Sequence, residues 1–156
     1  MIAARNGDID AAEILIEEGA DVYAEYNYGY NALFSTENPQ IVKMLWEAGF
    51  KFHTRDDERV TAFMKVCAYS KINIIKAILN IGVLVNDSGD EGRTALMHSI
   101  KYDSDRGIIK ALFCTGADVN AKDRIGSSVN YYAELNPNPE ILQILSGLDI
   151  IHSDNP

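Results

Sequence analysis

One phrase, an apolar pair running into a glycine, recurs four times along this chain. It reads Leu15-Ile16-Glu17-Glu18-Gly19-Ala20-Asp21-Val22, then Leu45-Trp46-Glu47-Ala48-Gly49, then Ile78-Leu79-Asn80-Ile81-Gly82-Val83-Leu84-Val85-Asn86, and last Leu112-Phe113-Cys114-Thr115-Gly116-Ala117-Asp118-Val119-Asn120. Gly19, Gly49, Gly82 and Gly116 fall about 33 residues apart, with one shorter gap. A period of that length specifies stacked units, none of which can bury its own apolar face alone. Function in such a chain belongs to an extended surface rather than a deep pocket.

Alignment on the glycines exposes a second recurring stretch upstream of each. These are Gly29-Tyr30-Asn31-Ala32-Leu33-Phe34, Thr61-Ala62-Phe63-Met64-Lys65-Val66-Cys67-Ala68, Gly92-Arg93-Thr94-Ala95-Leu96-Met97-His98-Ser99-Ile100 and Gly126-Ser127-Ser128-Val129-Asn130-Tyr131-Tyr132-Ala133. Asn31, Thr61, Thr94 and Ser128 each offer a side-chain oxygen to cap a short apolar helix. A second helix follows, with apolar residues at helical spacing: Ile74, Ile75, Ile78 and Leu79 in one unit, Ile108, Ile109, Leu112 and Phe113 in the next. Asn38-Pro39 and Asn138-Pro139 suit its start, because Pro at the first helical position needs no amide hydrogen. The glycine at its end permits a left-handed C-terminal residue.

This pattern resembles the ankyrin repeat. Gly-x-Thr-Ala-Leu at Gly92 to Leu96 and Leu-x-x-x-Gly-Ala-Asp-Val-Asn-Ala at Leu112 to Ala121 are similar to the two signature stretches of that family. The resemblance implies an all-α solenoid of about five helix pairs joined by β-hairpins or loops. The expected units are residues 1–24, 25–54, 55–86, 87–121 and 122–148 of a single domain over 1–156, with a fraying tail over 149–156. The pairs Leu15/Ile16, Leu45/Trp46, Ile78/Leu79, Leu112/Phe113 and Ile144/Leu145 are expected to form one ribbon of core.

Departures from the family pattern carry their own expectations. The first unit lacks its hairpin and reads as an N-terminal cap or a fragment. The second is about three residues short between Leu33 and Ile41, which reduces its first helix to little more than a turn. The fourth carries an extra residue around Asp103 to Gly107. The family's Thr-Pro-Leu-His loses Pro and His throughout, with Phe34, Met64, Met97 and Tyr131 at the His position. Asn130 falls where Leu is expected and weakens the C-terminal cap.

A net charge of −9 and a pI of about 4.7 exclude the basic stripe of a nucleic-acid surface and disfavour an anionic membrane. They favour a protein partner with a basic or mixed surface. Cys67 and Cys114 alone make no disulfide framework, and no apolar run suggests a signal peptide or a membrane span. The expected location is cytoplasmic, or secreted as part of a longer effector.

The candidate chemistry is thin. His53, His98 and His152 share no metal-ligand spacing with a cysteine. Cys67 takes the small buried position of a first helix, and Cys114 is expected to be partly exposed. Asp87 to Glu91 lacks the ligand ladder of a calcium loop and reads as solvated hairpin charge. Phosphate loops, nucleophile elbows and metal-binding His pairs are absent from the sequence. The expectation is a chain that is not an enzyme, with no cofactor, metal or small-molecule substrate.

Tyrosines are the more informative residues. Tyr26, Tyr28 and Tyr30 alternate through the first full hairpin, so an extended backbone places them on one side. By resemblance to the family, the variable hairpin positions are Tyr28, Tyr30, Asp57, Glu58, Asp90, Glu91, Arg93, Arg124 and Ile125. Tyr69 and Tyr102, with Lys101, lie near the ends of first helices, equivalent to Arg5 and Asn6. These positions are expected to line a concave partner groove, with the tyrosines as anchors and the acids steering a basic partner. Tyrosine offers large contact area and a hydroxyl at little entropy cost. The opposing reading is that the rings only cover gaps around the shortened second unit, and that Tyr131 and Tyr132 pad the last one. Two further functional readings remain: a regulatory or targeting segment of a larger enzyme or effector, and a dedicated inhibitor or immunity protein.

Overall fold

The computed structural model describes residues 1–26, 31–56, 60–102 and 105–153, with side chains as far as residue 147. Among these the chain is all-α: α1 (Ile2–Asn6), α2 (Ile9–Glu17), α3 (Ala32–Ser35), α4 (Pro39–Glu47), α5 (Ala62–Tyr69), α6 (Ile72–Ile81), α7 (Ala95–Lys101), α8 (Arg106–Cys114), α9 (Val129–Leu135) and α10 (Glu140–Ser153). They are grouped into two compact units. One comprises Met1–Phe52 and Ser70–Val83, the other His53–Tyr69 and Leu84–Pro156.

The expected caps explain where α3, α4, α5 and α7 begin. Asn31 Oδ1 accepts from the Leu33 and Phe34 N–H groups at 3.0 and 3.3 Å, and Thr61 Oγ1 from Met64 N–H at 3.2 Å. Thr94 caps α7 through Met97 N–H, and Asn38 caps α4 through Gln40 N–H with Pro39 at the first helical position. Such a cap contributes about 1 kcal/mol. Ser128 departs from the expectation: it holds the cap position of α9, but its hydroxyl makes no capping hydrogen bond. Gly82 ends α6 at φ 89°, a left-handed conformation that a Cβ would strain.

In the first unit α1 packs on α2 and α3, α2 on α4, and α4 on α6. Its core holds Leu33, Ile41, Val42, Leu45, Phe50, Ile74, Ile75 and Ile78, all almost fully buried. The second unit repeats the scheme. There α7 lies between α5 and α9 and also packs on α8, while α10 packs on α8 and α9. Phe63, Met64, Val66, Leu96, Met97, Ile100, Ile108, Ile109 and Leu112 fill it. Met64 and Met97, at the family's His position, are fully buried apolar residues.

The ribbon of apolar pairs needs correction. Leu15 is 48% exposed and Trp46 46%, while Leu45, Ile78, Leu112 and Leu145 are buried. Neighbouring helical residues diverge by about 100°, so one member of a pair usually turns away from the core. Phe113 alone joins its partner inside. The shortened α3 is a four-residue turn of helix, as its spacing predicts. α10 runs from Glu140 through Ser153.

Each described hairpin closes on one antiparallel bridge: Arg55 with Thr61, Ser88 with Thr94, and Lys122 with Ser128. A second recurring device joins successive loops. Tyr23, four residues past Gly19, donates its hydroxyl to Gly49 C=O at 3.0 Å and accepts from Lys51 N–H at 2.7 Å. Asn86, four past Gly82, donates to Gly116 C=O at 2.9 Å and accepts from Asp118 N–H at 2.8 Å. The Tyr23 ring also stacks on Phe50 with centroids 5.0 Å apart. No helix among the described residues is long and apolar enough to cross a membrane.

Candidate protein-docking surface

In the second unit the side-by-side packing of α5 and α7 brings their C-terminal ends together. Tyr69 ends α5 and Tyr102 caps α7. Their rings meet at 5.3 Å between centroids with planes tilted by 48°. Both remain open to solvent, Tyr69 at 66% and Tyr102 at 41%. Lys101 places Nζ 5.1 Å from the Tyr102 centroid, within cation–π range. Three sequence candidates thus share one patch.

His98 lies one turn below Tyr102, its ring 5.7 Å away, and is only 5% exposed. Burial lowers its pKa to about 4, helped by the positive charges of Arg93, Lys101 and Lys65 and opposed by Asp56. The imidazole is therefore neutral at pH 7 and acts as a buried support for Tyr102.

The hairpin candidates are held differently. Asp90 lies 3.3 Å from Arg55 Nε, and Asp87 lies 3.8 Å from Nη2 of the same residue, which also donates to Ser88 C=O at 2.8 Å. These acids are paired rather than simply solvated. Glu91 pairs with Arg93 at 2.6 Å, and Arg93 Nε donates to the Tyr132 hydroxyl at 2.9 Å. That hydroxyl donates to Asp123 Oδ2 at 2.6 Å, while Oδ1 accepts from the Ile125 and Ser127 N–H groups. Burial works against ionised Asp123, but the bonds from Tyr132, Ser127 and Ile125 and the charge of Arg93 outweigh it and hold the carboxyl below its ordinary range. Tyr132 shifts upward, from burial first and the bond to Asp123 second, with Arg93 opposing.

Arg124 is exposed in the next hairpin, and its N–H donates to Glu91 C=O at 2.9 Å. Ile125 at that tip is 81% exposed. Tyr28, Tyr30, Asp57 and Glu58 lie outside the described residues. In the first unit, Arg5 and Asn6 are exposed at the end of α1, and Tyr26 is 67% exposed.

Sequence reasoning missed Arg55 as the counter-charge of Asp87 and Asp90, although it stands about one repeat before them. It also missed the Tyr23 clamp, for which the four-residue offset from Gly19 was the available signal. Tyr131 remains 45% exposed and Tyr132 is buried, which divides a pair expected to act together. The Cys67 thiol is buried and its pKa is pushed well up by that burial, leaving it a packing residue; Cys114 is exposed. Among the described residues no three His, Cys, Asp or Glu side chains are grouped to hold a metal ion. An open groove of about 430 Å³ between α9 and α10 is lined by Asn130, Glu134, Leu142 and Leu145 among others.

Comparison with known proteins agrees with this architecture. Ankyrin repeats in three copies match residues 30–123, and a further ankyrin repeat matches residues 1–27. An L-asparaginase of Dirofilaria immitis is 28% identical over 151 residues, which is 94% of this chain and 25% of that protein. The chain thus spans about a quarter of the length of the curated relative it matches. Ankyrin repeats generally mediate protein binding. Recurring helix pairs, the hairpin bridges between them and the family match over most of the sequence establish that this chain belongs to the ankyrin repeat family.

Proposed function

We propose that this chain is a non-catalytic recognition module that binds a protein of mixed surface charge. Its anchors are Tyr69 and Tyr102 at the ends of α5 and α7. The observation that carries this reading is the exposed tilted ring pair, aromatic area left on the surface of a unit with a well-filled core. Aromatic residues of this kind supply much of the energy at protein interfaces. Lys101, Asp90, Glu91, Arg93 and Arg124, all of the same unit, form the surround; Tyr28, Tyr30, Asp57 and Glu58 stay candidates from the sequence, outside the described residues. Residues 1–156 are taken as one repeat domain.

The test is affinity capture with the intact chain, followed by titration of the purified partner. Tyr69→Ala with Tyr102→Ala is expected to weaken binding by about tenfold or more, since interface aromatics contribute upward of about 1–2 kcal/mol each. The melting temperature should change less than for a core truncation, because Tyr69 is largely solvated and Tyr102 is only half-buried. A large fall in melting temperature with unchanged affinity would assign the rings to structure.

A second reading is favoured by one observation, the 25% coverage of the L-asparaginase relative. In it these repeats form the regulatory or targeting part of a larger enzyme. The complete open reading frame distinguishes the two.

A further inference from the structure

In the register of the repeats, Leu15 of α2 corresponds to Leu45, Ile78, Leu112 and Leu145. Those four are buried, whereas Leu15 is 48% exposed. Ile14 beside it is 60% exposed, although Met44, Ala77, Ala111 and Ile144 at its position are half-buried. Within the first unit α4 packs on α2 and α6 on α4, so Leu45 and Ile78 each lie in a helix with another stacked ahead of it. Among the described residues the pair α1 and α2 has none ahead of it. Helical spacing puts Ala11, Ile14, Leu15 and Glu18 on one side of α2. The groove between α9 and α10 shows the alternative for an open side. There Asn130 and Glu134 replace the buried Leu96 and Ile100, which leaves Leu142 as the exposed apolar residue beside them. A polar outer face of that kind keeps a terminal repeat in solution. At Leu15 no such replacement is made.

The charges beside Ile14 and Leu15 select the occupant. Among the side chains of residues 1–26, seven carboxylates stand against Arg5, which accounts for six of the chain's nine net negative charges. Asp10, Glu17 and Glu18 lie one helical turn from Ile14 and are its neighbours on the surface of α2. None of the seven carboxylates forms an ion pair among the described residues. Asp8 and Asp21 accept backbone bonds from Ala11 and Tyr23. Lys43 of α4 is paired with Glu47, and Lys51 belongs to the loop bonded to Tyr23, past the end of α2.

We propose that this side of α2 is a second docking surface, and that it receives an amphipathic helix of a partner protein. The apolar stripe of that helix covers Ile14 and Leu15, and its lysines or arginines flank the stripe. Tyr69 and Tyr102, in the other unit, play no part in it. A helix fits because α2 serves α4, and α4 serves α6, in the same way. Basic flanks fit because they meet carboxylates that have no ion-pair partner among the described residues. A second copy of the chain brings the same acids to the contact and is repelled.

The probe is a labelled helical peptide with leucines along one side and lysines elsewhere, titrated against the intact chain by fluorescence anisotropy. A peptide of the same composition, with its leucines scattered around the helix, is the control for charge alone. It should bind about tenfold more weakly than the ordered peptide. Ile14→Ser and, separately, Glu17→Gln/Glu18→Gln are each expected to weaken binding of the ordered peptide about tenfold. All three side chains are exposed, and circular dichroism confirms that each variant is folded. Equal affinity for the two peptides, or full affinity in Ile14→Ser, overturns the inference. A peptide lost by Tyr69→Ala/Tyr102→Ala but kept by Ile14→Ser binds the tyrosine patch, which also overturns it and leaves the docking reading above intact. Sedimentation equilibrium of the chain alone adds a further check. A native dimer that Ile14→Ser dissociates makes a second copy the occupant, against the inference. The inference falls equally if the complete open reading frame places a helix pair ahead of Met1 and that longer chain no longer takes the peptide.

Discussion

Tyr132 is 6% exposed, yet its hydroxyl is fully engaged: it donates to Asp123 at 2.6 Å and accepts from Arg93 at 2.9 Å. Tyr132→Phe keeps the ring and leaves both partners short of a bond, at a cost of about 1–3 kcal/mol in denaturant unfolding. His98 governs the acid side of the stability profile. Its folded pKa of about 4 lies below the ordinary 6.5, so the unfolded chain binds the extra proton between those values. The stability this confers is complete above pH 6.5 and is lost as pH falls toward 4, a total of about 3 kcal/mol. Melting temperatures taken across that window should fall for the native chain and stay flat for His98→Gln. Asp123, whose pKa is also lowered, adds its loss only further into the carboxylate range. The caps at Asn31 and Thr94 were legible because capping is local in sequence. The Arg93–Tyr132 bond was not, since its ends lie 39 residues apart and the sequence carries no mark of their pairing.

At the level of elements, the glycines divide into two kinds. Gly116 has φ 91° and nothing within 4 Å of the place a Cβ would occupy. Gly92 has φ 74°, and its Cβ would lie 3.1 Å from Arg124 N and 3.2 Å from Asp123 Cα. The cause is the neighbouring hairpin, held close by the Arg124 to Glu91 backbone bond. Gly116→Ala is therefore expected to cost about 1–2 kcal/mol from left-handed strain alone. Gly92→Ala should cost more, because backbone atoms cannot move aside; calorimetric unfolding of the two variants gives the comparison. The period of the glycines located every second helix, and the shortened spacing before Ile41 foretold a four-residue α3. Which side of α2 faces inward was not legible. Its apolar residues Ile9, Ile14, Leu15 and Ile16 surround the helix, and only Ala12 is buried. The tyrosine patch was half legible: family positions placed Tyr69 and Tyr102 at equivalent helix ends, but not Lys101 against the ring.

For the molecule as a whole, the reading of residues 1–156 as one repeat domain has a direct outcome. Leu112→Ala and Ile78→Ala, each removing a fully buried side chain from a different unit, should both lower a single unfolding transition by about 2–5 kcal/mol. Two separate transitions, with only one shifted by each variant, would count against it. The division into units also governs how the chain can be cut. Its path passes between them after Phe52, again after Tyr69 and once more after Val83. A single protease nick therefore cannot release either half by itself: a cut after Val83 leaves 53–69 of the other half attached to the first, and a cut after Phe52 leaves 70–83 of the first attached to the second. Pieces trimmed at the repeat boundaries inherit the same defect, and reuniting two such pieces would restore what each alone is missing.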